Sequence, residues 1–101
     1  MSKIITERQG LLDLLHNIVQ EYQPNVKPED LAPVLDRALT NFQREMNKPF
    51  YEFRDTDEDI KIRIFQILLK HIIIELKNEP TFRNADFLDD CINKIEGLGE
   101  K

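Results

Sequence analysis

The acidic run Asp55–Asp59 and two histidines are the residues of this sequence whose types could bind a metal. Alternating carboxylates open an EF-hand calcium loop, but such a loop also needs Gly at its sixth position and Glu at its twelfth. Those positions hold Ile60 and Gln66. We therefore expect the run to form an acid-rich first turn of a helix, where carboxylates complement the helix dipole. Because His16 and His71 lack the three or four converging ligands of a zinc site, we expect no metal or other cofactor.

Cys91 is the single cysteine of the chain. A nucleophilic cysteine needs a neighbouring base or an electropositive setting, whereas Asp89 and Asp90 precede Cys91. The residue also falls on an apolar stripe, so we expect a small buried hydrophobe. No glycine-rich phosphate loop or nucleophile elbow is present, and we expect no enzyme activity. A lone thiol suits the reducing cytoplasm, which is the location that we predict.

Two groups of residues remain as candidates for contact with a partner. The first is a basic strip on the third predicted helix: Arg63, Gln66, Lys70 and Lys77. This strip can meet an acidic partner or an anionic lipid surface, or it can be the solvated edge of a buried helix. The second group is aromatic and falls in predicted loops: Phe50, Tyr51, Phe53 and Phe82. Aromatic rings in loops can anchor partners, but they can also fold back and plug the ends of a core.

Composition restricts the class of protein. The 101 residues suffice for one domain, and 41% apolar with 33% charged residues is a globular profile. The net charge of −5 disfavours nucleic-acid binding, because an acidic surface repels phosphates. No run approaches the roughly 18 apolar residues of a membrane span, and Met1–Arg8 contains charge too early for a signal peptide. Peripheral association with a membrane stays open.

Apolar residues recur at helical spacing in four segments. The predicted helices run from about Thr6 to Tyr22, from a cap at Asp30 to Met46, from about Asp57 to Lys77, and from about Ala85 to Glu96. The fold that we predict is all-α, an antiparallel four-helix bundle in which residues 1–101 form a single domain.

The ends and the centre of this bundle carry more specific predictions. We expect Thr6 and Asn84 to cap the first and fourth helices, and Pro33 to lie in the first turn of the second helix. Gly97 is expected to end the fourth helix in a left-handed conformation. Ile60–Leu76 is apolar around most of its circumference, so we expect the other three helices to wrap it and leave no cleft.

The pattern resembles the small immunity proteins encoded beside pediocin-like bacteriocins of lactic acid bacteria and streptococci. The matching segments are Leu11–Leu15, Leu31–Phe42, Leu76–Asn78 with Phe82, and Phe87–Gly97. Members of that family are cytosolic antiparallel four-helix bundles without enzyme activity, and many are basic, whereas this chain is acidic. The resemblance implies binding to the bacteriocin-bound sugar-transporter receptor at the cytosolic side of the membrane, with specificity in the half of the chain from Phe50 onward.

An alternative function belongs to another class. A small adaptor or regulator, encoded by a phage or within an operon, would bind one cytosolic protein. Both interpretations need a protein partner and no nucleic acid. The sequence leaves open whether the protein is a monomer or a homodimer.

Overall fold

The computed structural model describes residues 7–53, 57–82 and 85–98, and within these ranges the chain is all-helical. The elements are α1 Arg8–Gln20, α2 Pro28–Met46, a 3-10 helix Phe50–Phe53, α3 Glu58–Asn78 and α4 Leu88–Leu98. The four predicted helices are therefore confirmed. Asp57 precedes α3, and Glu58 and Asp59 lie in its acidic first turn, as expected. Thr6, Asp55, Thr56 and Asn84 lie outside the described residues.

The start of α2 differs from its prediction. The helix begins at Pro28, whose fixed φ suits the first helical position. Asp30 is therefore inside the first turn, where its carboxylate accepts a hydrogen bond from the backbone N–H of Lys27 at 3.1 Å. Pro33 lies within the helix rather than in its first turn, so α2 lacks one backbone hydrogen bond there. The predicted cap at Asp30 was wrong because the sequence Pro28-Glu29-Asp30 itself starts a helix.

The C-terminal end of α4 also differs from its prediction, whereas α2 ends at Met46 as predicted. Gly97 lies inside α4, and no described glycine has a positive φ, so the predicted left-handed cap was wrong. A Cβ atom on Gly97 would meet nothing within 4 Å, and the position does not require glycine. The left-handed residue is instead Asn47, with φ 58°, directly after α2. Asparagine tolerates this conformation better than most residues.

The described helices pack around one apolar core. α2 packs on α1 and α3, α4 packs on α3 and α1, and the 3-10 helix packs on α2 and α3. Leu31, Leu35 and Leu68 are completely buried at its centre. No polar or charged side chain of the described residues is buried, so the core is stabilised by apolar burial and close packing.

The helix α3 is less enclosed than predicted. Its nearest neighbours are α2, α4 and the 3-10 helix, while Leu69 and Ile72 line a small core cavity together with side chains of α1. Ile60 and Ile74 are 47% and 41% exposed. The expectation that three helices would wrap α3 was wrong in this respect, because one face of the helix is turned to solvent.

Candidate functional site

An open groove lies along α3 on the side that faces α4, with a volume of about 420 Å³. The residues that line it are Gln66, Leu69, Lys70, Ile73, Ile74, Lys77 and Glu96. We call this the α3–α4 groove. Three members of the predicted basic strip, Gln66, Lys70 and Lys77, thus lie together in one concave surface. The remaining member, Arg63, precedes Lys70 by two helical turns.

A regular stripe runs up the same side of α3. Isoleucines and basic residues alternate at steps of three and four, which places them on one helix face. The members of this outer stripe are Ile60, Arg63, Ile67, Lys70, Ile74 and Lys77. Five of the six are exposed, and Ile67 is partly buried. The spacing is that of the contact seam of two packed helices.

The basic side chains of the stripe differ from Arg8, Arg37 and Lys94, which form ion pairs elsewhere on the protein. Within residues 7–53, 57–82 and 85–98, neither Arg63, Lys70 nor Lys77 forms an ion pair with another side chain. On the opposite side of α3, Arg37 of α2 donates hydrogen bonds to Glu75 and Glu79, each at 2.7 Å. The stripe therefore presents positive charge that is available to a partner.

The seam between α2 and α3 is closed by these contacts. Asn41 donates a further hydrogen bond to Glu75 at 3.2 Å, and His71 lies 3.0 Å from Glu45. The hydrogen bonds that Arg37 donates to the two carboxylates, the one to Glu75 first, raise the pKa of Arg37 above its ordinary value. The polar groups of this seam thus satisfy one another.

The aromatic candidates separate into two environments. Phe50 and Phe82 are 3% and 2% exposed, so these rings fill the core, as the alternative interpretation of the sequence expected. Phe53 is partly buried, and its ring packs edge-on against Phe42, as the ring of Phe50 does. Tyr51 is 37% exposed, lies near Arg8 and does not line the groove. The part of its side chain that is covered is the main cause of the raised pKa of its phenol.

Cys91 and His16, which are candidates for chemistry by residue type, are respectively buried and within hydrogen-bonding distance of a backbone carbonyl. Cys91 is buried, and burial, with a smaller contribution from the charge of Glu21, raises the pKa of its thiol to about 11. A ring nitrogen of His16 lies 3.0 Å from the carbonyl oxygen of Val26. Among the described residues, no three His, Cys, Asp or Glu side chains come together as a metal site would require.

The isoleucines of the groove are what the sequence interpretation missed. The prediction that the other three helices wrap Ile60–Leu76 implies that Ile73 and Ile74 are covered. It also does not connect Glu96 of α4 with the basic strip. A signal was present, since Ile60, Ile67 and Ile74 recur every seven residues beside Arg63, Lys70 and Lys77. Such a period is typical of a helix that contacts another helix along one seam.

The groove combines apolar surface with ammonium groups and an amide, which suits the recognition of an amphipathic partner. The isoleucines can exclude water, while Lys70 and Lys77 can hold carboxylates. Glu96, on the α4 side, gives the groove one negative edge. None of the helices among the described residues has the length and apolarity to cross a bilayer.

Comparisons with known proteins give one similarity to a longer chain. No family model matches the sequence, and no solved structure matches it. The chain is 30% identical over 93 residues to the protein translocase subunit SecA of Carboxydothermus hydrogenoformans. The match covers 90% of this chain and 10% of the SecA chain, so this protein spans about a tenth of the length of that relative.

Proposed function

We propose that this protein acts by binding another protein at the α3–α4 groove, without catalysis. The observation that carries the proposal is the combination of the exposed Ile74 and the partly buried Ile73 with two lysines that have no ion-pair partner among the described residues. Exposed apolar surface rimmed by charge is typical of contact sites. We also propose that the helices form an antiparallel bundle, which is compatible with the order in which they pack.

The specific role that we propose is bacteriocin immunity in the cytoplasm of a producer cell. The protein would engage the bacteriocin-bound sugar-transporter receptor at its cytosolic side and prevent pore formation. The position of the groove supports this role, because all its residues lie after Phe50. That half of the chain is where the family resemblance places specificity.

A second candidate is a small cytosolic adaptor or regulator that binds one protein. The similarity to SecA favours it, because a sequence similar to this chain occurs there as a small part of a much longer protein. A segment in that setting has neighbouring parts to contact. The adaptor would use the same groove for a soluble partner.

Survival of a bacteriocin-sensitive strain tests the immunity role. Cells that express the protein should survive at least one member of a panel of pediocin-like bacteriocins, and the Ile74→Asp variant should lose this protection. Gln43→Asp, an exposed change on α2, is the matched control and should protect as well as the wild type. An absence of protection against the whole panel, with the protein present in soluble form, would argue against immunity.

Photo-crosslinking separates the two candidates. A photoreactive amino acid at position 74 should capture a partner in living cells, whereas the same residue at position 43 should not. A transporter subunit would support immunity, and a soluble protein would support the adaptor. If position 74 captures no more protein than position 43 in cells that respond to the chain, the groove is not the contact site.

A further inference from the structure

The outer stripe of α3 has a chemistry that selects among partners. Of the described residues, three large apolar side chains are exposed, and two of them, Ile60 and Ile74, belong to the stripe. Between and beside them stand Arg63, Lys70 and Lys77, in a chain whose net charge is −5. Positive charge is therefore concentrated where apolar side chains are also uncovered. A binding partner could therefore recognise positive charge and apolar surface together.

We infer that the stripe and the adjoining groove bind an acidic amphipathic helix of another protein. The inference rests on the proposed binding function and names the chemistry of its partner. Apolar side chains of the partner lie against Ile67, Ile73 and Ile74, and its carboxylates meet Arg63, Lys70 and Lys77. The stripe spans about 27 Å of helix, which matches a partner of five helical turns.

The geometry favours a helix over an irregular segment. Steps of three and four residues along α3 give a straight seam, and a second helix with the same period can follow it for its whole length. Each turn of such a partner offers one apolar and one charged position to the stripe. A helix that docks in this way is a common mode of peptide recognition.

Charge argues against three other occupants. A second copy that packed on the same face in parallel, or antiparallel about Lys70, would place Lys70 against Lys70 and would set Arg63 and Lys77 against other cations of the stripe. A nucleic acid or an anionic lipid surface would meet the lysines, but it would also meet Glu96 and the acidic first turn of α3. A partner helix avoids these carboxylates because its own side chains can change sign from one position to the next.

Glu96 adds a prediction about the partner's other edge. This carboxylate stands on the α4 side of the groove, opposite the lysines of α3. A purely acidic helix is repelled there, so a natural partner carries a neutral or basic residue toward α4. Reversal of the charge of Glu96 should accordingly strengthen the binding of an acidic helix.

Fluorescence anisotropy with helical peptides tests the inference directly. The probe is a stapled 18-residue peptide with leucine and glutamate at alternating steps of three and four. The controls are the same peptide with lysine for glutamate and a peptide of the same composition in shuffled order. The wild-type protein should bind the acidic peptide at least about tenfold more tightly than either control, and added salt should weaken binding through screening.

Variants then locate the binding surface. The double variant Lys70→Glu, Lys77→Glu should weaken binding of the acidic peptide at least about tenfold and bind the basic peptide instead. The double variant Lys27→Glu, Arg44→Glu carries the same change of net charge away from the groove and should bind like the wild type. Glu96→Lys should tighten binding, while Glu29→Lys should not.

Several results would overturn the inference. They are equal binding of the acidic and shuffled peptides, equal effects of the two double variants, and binding only to phosphatidylglycerol vesicles or duplex DNA. A dimer in sedimentation that Lys70→Glu dissolves would also overturn it. Photo-crosslinking at position 74 distinguishes failure of this inference from failure of the proposed function. A captured partner without an acidic helix refutes this inference alone, and no captured partner refutes the proposed function.

Discussion

Charged side chains form ion pairs on one side of α3, and the basic side chains on the other have no ion-pair partner among the described residues. Toward α2, Glu75 and Glu79 accept hydrogen bonds from Arg37, and the seam is closed. On the outer stripe, Arg63 and Lys70 have no ion-pair partner among the described residues, although acids outnumber bases in the chain by 19 to 14.

The same contrast holds for apolar side chains. Ile72 is 3% exposed and Ile74 is 41% exposed, although they are two residues apart on one helix. Burial of Ile72 contributes to folding, whereas about two fifths of the surface of Ile74 still contacts water. The comparison teaches that α3 contributes to the core on one side and leaves apolar side chains partly exposed on the other.

The largest effect is expected from truncating these two isoleucines. Ile72→Ala should lower the free energy of unfolding by about 2–4 kcal/mol, because it leaves a cavity in a packed core. Ile74→Ala should lower it by no more than about 0.5 kcal/mol, since its side chain is already 41% exposed and leaves no enclosed cavity. Urea unfolding followed by circular dichroism measures both values. Equal losses in the two variants would mean that the two faces of α3 are not distinct.

A smaller effect is expected from the charged seam. Glu75→Ala removes one of the two acceptors for Arg37 and the acceptor for Asn41, and it should cost about 1 kcal/mol, a value limited by the solvent exposure of Arg37. Lys77→Ala, on the other side of the helix, should change stability by no more than about 0.5 kcal/mol. Denaturant unfolding in low salt measures the difference. A larger loss from Lys77→Ala would show that the stripe has a structural role.

The smallest effect is expected from an exposed pair that is independent of α3. Arg8 donates hydrogen bonds to both oxygens of Asp36, at 2.8 and 3.1 Å, and thereby lowers the pKa of that carboxyl. Stabilisation by the pair should be present above the ordinary pKa of aspartate and be lost as the pH falls through the lower folded-state pKa. Since both side chains are exposed, it should amount to a few tenths of a kcal/mol.

The pH dependence of an Asp36→Asn variant checks this expectation. Its free energy of unfolding should fall slightly below that of the wild type at pH 7, and the difference should vanish near pH 2. Asp13→Asn is a comparison on α1 without a long-range ion pair. A difference between wild type and Asp36→Asn that persists at pH 2 would show that the ion pair is not its cause.

The sequence predicted helices better than their ends. The period of Leu31, Leu35 and Phe42 sufficed to place α2, because a stripe that long has no other regular structure. The helix ends were harder to predict, because neighbouring residues can each start or stop a helix. Pro28 began α2 before Asp30 could cap it, and α4 continued through Gly97 although glycine often stops a helix.

The candidate site was half predictable. Periodicity placed Gln66, Lys70 and Lys77 on one strip, and the structure brings these three to the groove. It could not indicate which apolar face of α3 would lack a neighbour, because that depends on where α1 and α4 pack. Phe50 and Phe82 illustrate the same limit. Both are buried, but the sequence pattern of an aromatic residue in a loop is the same whether its ring is buried or exposed.

The buried thiol offers an internal reporter of motion. Cys91 is 1% exposed, and its thiol is neutral at physiological pH because its pKa is raised to about 11. A reagent can therefore react with it only when α4 opens, and the labelling rate measures how often that happens. Because α4 forms one side of the groove, a partner that bridges α3 and α4 should slow this labelling, so occupancy could be followed without any added dye.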